Sequence, residues 1–463
     1  RSILLAVIKN KLAQAMTGLL MQVSLSPNPS PPTLLPQLLS LLRTHTPSSP
    51  STSMSQPPLN AQTSDLILAA LHDFSLALGS DVSLRSTKDK ALLVRDAQVK
   101  DRIRAENAEQ LAENIWMILE ECLEKSRNSQ SSSNDQNPRQ VNASNAAGLL
   151  KKAALVAGDY ASWLDITLML TPRTIQLLLS VLHHSVPSVR ASGADALLDI
   201  VTKGMKPADK VELLKVLDLT TVIKRLELNT RTPGTTRQMQ LLGMIADENG
   251  YDAHQDRESS ENVEFRERMA KLADGIAIEL GRIIEENSSV ETAPVRAAAS
   301  DMLDAHIDLL LAFLADEDDG PAEQVLPCIH MVLTAYRKVK RKSETTQLSP
   351  QQSQFLRSLT AVTLTKMKYD ADAEWKGPGS QDDEEDGEGA DGEEEDEEDE
   401  YEVAFAQLRK NLQTIVANIA SLDEHLFSTA AQRVIFGTLS RYETASTSSH
   451  PSQQQPTWQE MEM

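Results

Sequence analysis

Only two cysteines, Cys122 and Cys328, occur in 463 residues, far apart and without CxxC spacing. A disulfide framework and a thiolate zinc site are therefore excluded. Aromatic residues make up only 4% of the chain. Leu, Ala, Glu, Lys, Gln and Met recur in their place, a mix that favours helices over strands, which draw on Val, Ile, Thr, Tyr and Phe. No segment carries the roughly 18 uninterrupted apolar residues of a membrane-spanning helix, and no membrane partner is expected. Histidines form no HExxH pattern and stand beside no spaced cysteine, so the sequence supports neither metal coordination nor a nucleophile triad. No catalytic, metal-binding or cofactor-binding residues are expected. The chain opens on Arg1 within the apolar stretch Ile3 to Ile8, too short for a secretory core, and the natural N-terminus is expected upstream.

What the chain has is helical periodicity. Apolar residues three and four apart run through Leu4–Leu25, Leu66–Leu84, Leu111–Leu123, Ile166–Leu182, Ala191–Val201, Val211–Leu228, Phe265–Ile284, Val295–Leu314, Val325–Val339 and Phe355–Met367. Short breaks with turn signals, such as Thr171-Pro172 and Lys206-Pro207, imply antiparallel neighbours. Pro187-Ser188-Val189-Arg190-Ala191 followed by Asp195 is echoed by Pro294-Val295-Arg296-Ala297-Ala298 followed by Asp301. This is the pattern of the second helix of a HEAT-type repeat: Pro starts the helix, small Ala residues permit close approach, and Arg and Asp reach neighbouring repeats. Any Ala-rich helix after a proline shares some of it. The expected fold is all-α, a HEAT-type solenoid, that is, a superhelical array of antiparallel helix pairs with disordered insertions.

The expected organisation is a repeat region over 1–369, interrupted by low-complexity insertions near 27–58, 126–145 and 231–260. A disordered acidic loop follows at 370–400, then a further helical repeat at 401–440 and a low-complexity tail at 441–463. The formal net charge is -22, but 15 of the 67 acidic residues lie between Asp382 and Glu400. The remainder, 52 acids against 45 bases, is close to balanced, so local basic patches are possible. Within the acidic run, Gly387 to Gly392 satisfies GxGxxG formally, yet it follows no strand and its carboxylates repel a pyrophosphate. The same run approximates an EF-hand loop but has no entering helix and places Gly389 where an apolar residue belongs.

Two basic clusters stand out. Arg337, Lys338, Lys340, Arg341 and Lys342 place five cations within six residues at a helix end, and Arg95, Lys100, Arg102 and Arg104 gather on another helical segment. Both are candidate phosphate contacts. A solvated face, a localisation signal, or the ordinary comfort of cations at a helix C-terminus accounts for them equally well.

Specific strings carry a family resemblance. Tyr160-Ala161-Ser162-Trp163-Leu164-Asp165-Ile166, Ile200-Val201-Thr202-Lys203-Gly204-Met205 with Asp209-Lys210, and Glu261-Asn262-Val263-Glu264-Phe265 with Lys271-Leu272 resemble stretches of the exportin-T family. Upstream, Leu93-Val94-Arg95-Asp96, Ile103-Arg104 and Ala112-Glu113-Asn114-Ile115-Trp116 are similar to the preceding helix pair, in the same order and at similar spacing. The resemblance covers residues 1–230 clearly and 261–430 more loosely. It implies a monomeric karyopherin-β receptor that binds tRNA together with GTP-bound Ran, meets nuclear pore proteins, and shuttles between nucleus and cytoplasm. It also implies that the first, Ran-gripping repeats lie before Arg1 and that the later repeats lie beyond Met463. The acidic run and the Ser/Pro-rich inserts exceed the family pattern. A protein-only HEAT scaffold or importin-like adaptor is the rival that the same helices would serve.

Overall fold

Proline and short polar side chains set where most helices begin. The computed structural model describes residues 2–25, 34–40, 61–78, 88–131, 138–231, 235–236, 239–240, 260–286, 292–342, 348–368 and 392–447, and among these there is no strand. The chain divides into two compact units, Arg1–Leu219 with Glu258–Glu279, and Thr220–Arg257 with Leu280–Met463. Each is built from helices packed on their near neighbours in sequence, which is a helical-repeat, HEAT-type fold.

The first unit contains α1 (Ser2–Leu25), α2 (Leu34–Ser40), α3 (Ala61–Ala77), α4 (Lys90–Glu106), α5 (Ala108–Ser131), α6 (Pro138–Ala161), α7 (Ile166–Met169), α8 (Pro172–Leu182), α9 (Pro187–Thr202) and α10 (Pro207–Leu217). Asp89 caps α4 by accepting from the Leu92 N–H at 2.8 Å, and a Thr171–Thr174 capping box with Pro172 starts α8. α3, α5 and α9 all pack on α6. Ala153, Ala154, Val156, Ala157, Tyr160 and Ala161 of α6 are all buried. At Gly158 a Cβ would lie 2.7 Å from the Ala196 Cα of α9, so only glycine permits this approach. From the HEAT-like motif, Arg190 donates to the Asn262 side chain at 2.6 Å and Asp195 lies 3.8 Å from Arg268. Both partners belong to α12 (Ser260–Glu286), whose first part is in this unit.

The second unit holds α11 (Leu219–Thr230) from Thr220 onward, the end of α12, and α13 (Ala293–Leu314), α14 (Asp319–Gln324), α15 (Leu326–Lys342), α16 (Pro350–Lys366), α17 (Gly392–Leu422) and α18 (Glu424–Thr447). α17 packs on α14, α15, α16 and α18, and α13 packs on α16. Leu408, Leu412, Ile415 and Ile419 form its buried stripe, each worth about 1.5–3 kcal/mol when removed from water.

Lysines recur as C-terminal caps. Lys203 donates to the carbonyls of Ala161, Ser162 and Leu164 at 3.0, 3.2 and 2.6 Å. Lys210 donates to the carbonyls of Val201 and Lys203 and pairs with Glu279 at 3.1 Å, in full burial. Lys366 serves Asp316 and Glu317 at 2.8 Å each, and Lys340 serves Leu422 at 2.8 Å. Each places a cation on the carbonyl groups that a helix end leaves unpaired.

Several expected boundaries differ. The periodic stretch Ile166–Leu182 is two helices, as its Thr171-Pro172 break implies, whereas Val211–Leu228 is unexpectedly broken at Asp218, a left-handed cap with φ 43°. α5 extends to Ser131 and α6 begins at Pro138, inside the expected 126–145 insertion. Part of the expected 370–400 loop is also helical, since α17 starts at Gly392. Glu is a strong helix former, and carboxylates are favoured in a first turn. Residues 370–391 lie outside the described residues, as do most of 27–58 and 232–259 and all of 448–463. Leu34–Ser40, inside the expected 27–58 insertion, is helical, and α18 carries helix to Thr447, into the expected tail.

Candidate nucleic-acid interface

On a helix, positions seven apart share a face and positions four apart nearly do. Arg95 and Arg102 therefore lie on one side of α4, and Lys100 and Arg104 on another, so the cluster read in sequence is divided in space. Arg95 is held by the adjacent Asp96 at 2.9 Å, and Arg102 by Glu106 at 3.2 Å. The other pair converges on the turn after α6. Lys100 Nζ stands 5.7 Å and Arg104 Cζ 5.9 Å from the Trp163 ring centroid. Arg104 also donates to the Trp163 carbonyl at 2.9 Å and pairs with Asp101 at 2.8 Å.

Lys203 reaches the same turn from the end of α9. Burial, and then the positive field of Arg104, lower its ammonium to about 8. Opposing that field is Asp165, whose carboxyl is held low first by the Thr167 N–H and hydroxyl. Lys203 is not among the residues that charge density singles out. Its only signal is its place in the string Ile200 to Met205, which says nothing of a fold that brings it beside Arg104.

The second cluster is mostly engaged. Arg337 donates to Ser421 Oγ at 3.1 Å and to the Asn418 side chain, and Lys340 caps α17. Lys338 pairs with Glu285 at 2.7 Å, both side chains being about half exposed. Arg341 is exposed and takes no hydrogen bond or ion pair among the described residues, while the Lys342 side chain lies outside them. The carbonyl end of α17 thus gives this cluster a structural reason to exist.

Other chemistry is sparse. Among the described residues no group of three His, Cys, Asp or Glu could hold a metal ion. The His183 ring nitrogen donates to the Leu179 carbonyl at 2.7 Å, as expected of a residue at a helix end. His184 is different: its Nδ1 accepts from the Val186 N–H at 3.1 Å, leaving Nε2–H to donate to Ser126 at 2.8 Å in a buried structural bond. Burial pushes the Cys122 thiol up to about 12, the state of an inert core residue.

Two family models match the chain, Exportin 1-like protein over residues 6–197 and Exportin-T over residues 293–463. The Exportin-T of Mycosarcoma maydis is 42% identical over 462 residues, 99% of this chain. The chain belongs to the exportin-T family. Exportin-T proteins of Laccaria bicolor and Coprinopsis cinerea are each 29% identical, over 75% and 94% of the chain. The chain spans 39%, 28% and 36% of the lengths of these three relatives.

Proposed function

We propose that this chain is the part of a nuclear export receptor that contributes to holding tRNA, in concert with GTP-bound Ran, for passage through the nuclear pore from nucleus to cytoplasm. The observation that carries this reading is 42% identity along 99% of the chain to a protein named Exportin-T. RNA helices expose phosphates and 2′-hydroxyls rather than readable major-groove edges, so a receptor for many tRNAs is best served by basic side chains on a fixed scaffold. In the first unit the proposed contacts narrow to Lys100 and Arg104, gathered at Trp163, while Lys203 beside them already spends its three N–H donors on carbonyls as a cap. In the second unit the proposed contacts narrow to Lys338, Arg341 and Lys342. Such contacts position the ligand without reading its bases, so all tRNAs should bind alike.

The engagement of Arg95, Arg102, Arg104, Arg337, Lys338 and Lys340 within the protein favours the rival reading of a protein-only transport adaptor. A mobility-shift titration of the full-length protein with tRNA, with and without GTP-bound Ran, separates the two. The export reading expects tRNA to bind, and to bind tighter with Ran. Equal affinity in both arms, or none, favours the adaptor.

A further inference from the structure

An open groove of about 640 Å³ lies in the second unit between α13, α15 and α16. Its volume falls in the range of sites that seat a ligand or an anchoring side chain. The floor is apolar: Leu303 and Ile307 from α13 face Tyr336 and Phe355, whose rings meet edge to face at 5.9 Å. Val339, also in the wall, is 53% exposed. Beside this floor runs an acidic edge. Asp301, Asp304 and Asp308 are three and four residues apart and share one face of α13 over about 10 Å; Asp304 and Asp308 line the groove itself. Among the described residues neither has a hydrogen bond or an ion-pair partner.

The chemistry of the missing occupant follows. Partial burial and then the charge of Asp301 raise the Asp304 carboxyl above its ordinary value, so its ionised form lacks compensation where it stands. The neighbouring Tyr336 hydroxyl is pushed up to about 12 by burial and by Asp304. A cation entering here would pair with carboxylates and meet aromatic faces. Nucleic acid is the wrong class, because its phosphates would be repelled. An apolar floor with a cationic requirement along one edge fits a peptide that carries both.

We propose that this groove docks a short basic, amphipathic segment of a protein partner, seating a large apolar side chain over Tyr336 and Phe355 and pairing Lys or Arg with Asp304 and Asp308. The surface is independent of the tRNA reading and would serve an adaptor equally. The test uses a fluorescein-labelled synthetic peptide of leucine and lysine, patterned to put leucines on one helical face with lysines beside them. Its scrambled isomer is the control for the acidic protein's general attraction to lysine. Fluorescence anisotropy should show tight binding of the patterned peptide. Asp304→Asn with Asp308→Asn should weaken it about tenfold, as two partly exposed pairs of about 0.7 kcal/mol each require. Because these are surface isosteres, circular dichroism should be unchanged, and tRNA affinity should not fall. A benzophenone on the patterned peptide should crosslink to α13, α15 or α16. Equal binding of the scrambled isomer, indifference to the double substitution, crosslinks elsewhere, or crosslinking of labelled tRNA into the groove would each overturn the proposal.

Discussion

Asp199 sits in the first unit in a row of acidic groups, and replacing it with Asn should stabilise the protein in a pH-dependent way. Burial, followed by the charges of Asp159 and Asp195, raises its carboxyl from 3.8 to about 7, against the opposing pull of Lys271 and His72. The folded protein therefore keeps a proton there that the unfolded chain has released. Stability falls as pH rises from about 4 to about 7 and is unaffected by this group beyond. A shift of about three units at 1.36 kcal/mol each sets a ceiling of about 4 kcal/mol. Coupling to Asp159 and Asp195 spreads that penalty, so about 2–4 kcal/mol is expected. Asp199→Asn keeps the shape and never ionises. Urea unfolding followed by tryptophan fluorescence suits the test, because Trp116 and Trp163, two of the four tryptophans, are buried in this unit. The variant should match the parent near pH 4 and exceed it by about 2–4 kcal/mol at pH 8. A difference that is constant with pH, or a less stable variant at pH 8, would refute the reasoning.

His72 points the same way. Its hydrogen bond to Asp159 at 2.6 Å raises its imidazolium, which contributes stability at low pH that is lost as pH rises through the folded value; His72→Gln should flatten the urea-midpoint profile above pH 6. Gly158→Ala should cost about 1–3 kcal/mol by driving a Cβ into the α9 backbone, whereas Gly148→Ala, with open space around it, should gain up to about 1 kcal/mol in the same unfolding assay. Lys210→Met should cost about 3–5 kcal/mol because it removes the cation paired with the buried Glu279 carboxylate and its bonds to the Val201 and Lys203 carbonyls, and adding Glu279→Leu should recover only the part due to the charge pair. Arg337→Gln with Lys340→Gln should lower stability with little change in tRNA affinity, while Lys100→Gln with Arg104→Gln should flatten the dependence of log K on log salt by about 0.7–0.9 for each phosphate no longer neutralised.

The fold is legible in the sequence where burial leaves a stripe, as in α15 and α17, and where proline marks a start, as at Pro172, Pro187 and Pro207. Arg190 and Asp195 are legible too, since a HEAT-type helix uses those positions to reach the next one. α6 escapes periodicity because α3, α5 and α9 cover it on several sides, and an Ala- and Gly-rich segment so enclosed has no polar face to give it a period. The start of α17 is hidden because low apolar content argues against a buried element, whereas glutamates at a helix start favour the helix itself. Charge counting does not show how the basic clusters divide in space, for a geometric reason. A spacing of seven joins Arg95 to Arg102 and separates both from Lys100 and Arg104, and the α17 carbonyl end that occupies Lys340 is 81 residues away in sequence. The acidic groove beside α13 is equally hidden, since Asp301, Asp304 and Asp308 acquire meaning only beside Tyr336 and Phe355.

Service in tRNA export with GTP-bound Ran is the function proposed for the receptor to which this chain belongs. The most direct measurement is the tRNA dissociation constant of the full-length receptor with and without saturating GTP-bound Ran, at one fixed salt concentration. A coupling of about 1–3 kcal/mol, roughly 5- to 150-fold, is the usual range for such linkage, and tRNA binding at least about fivefold tighter with GTP-bound Ran is the predicted result. Identical constants in the two conditions would contradict it.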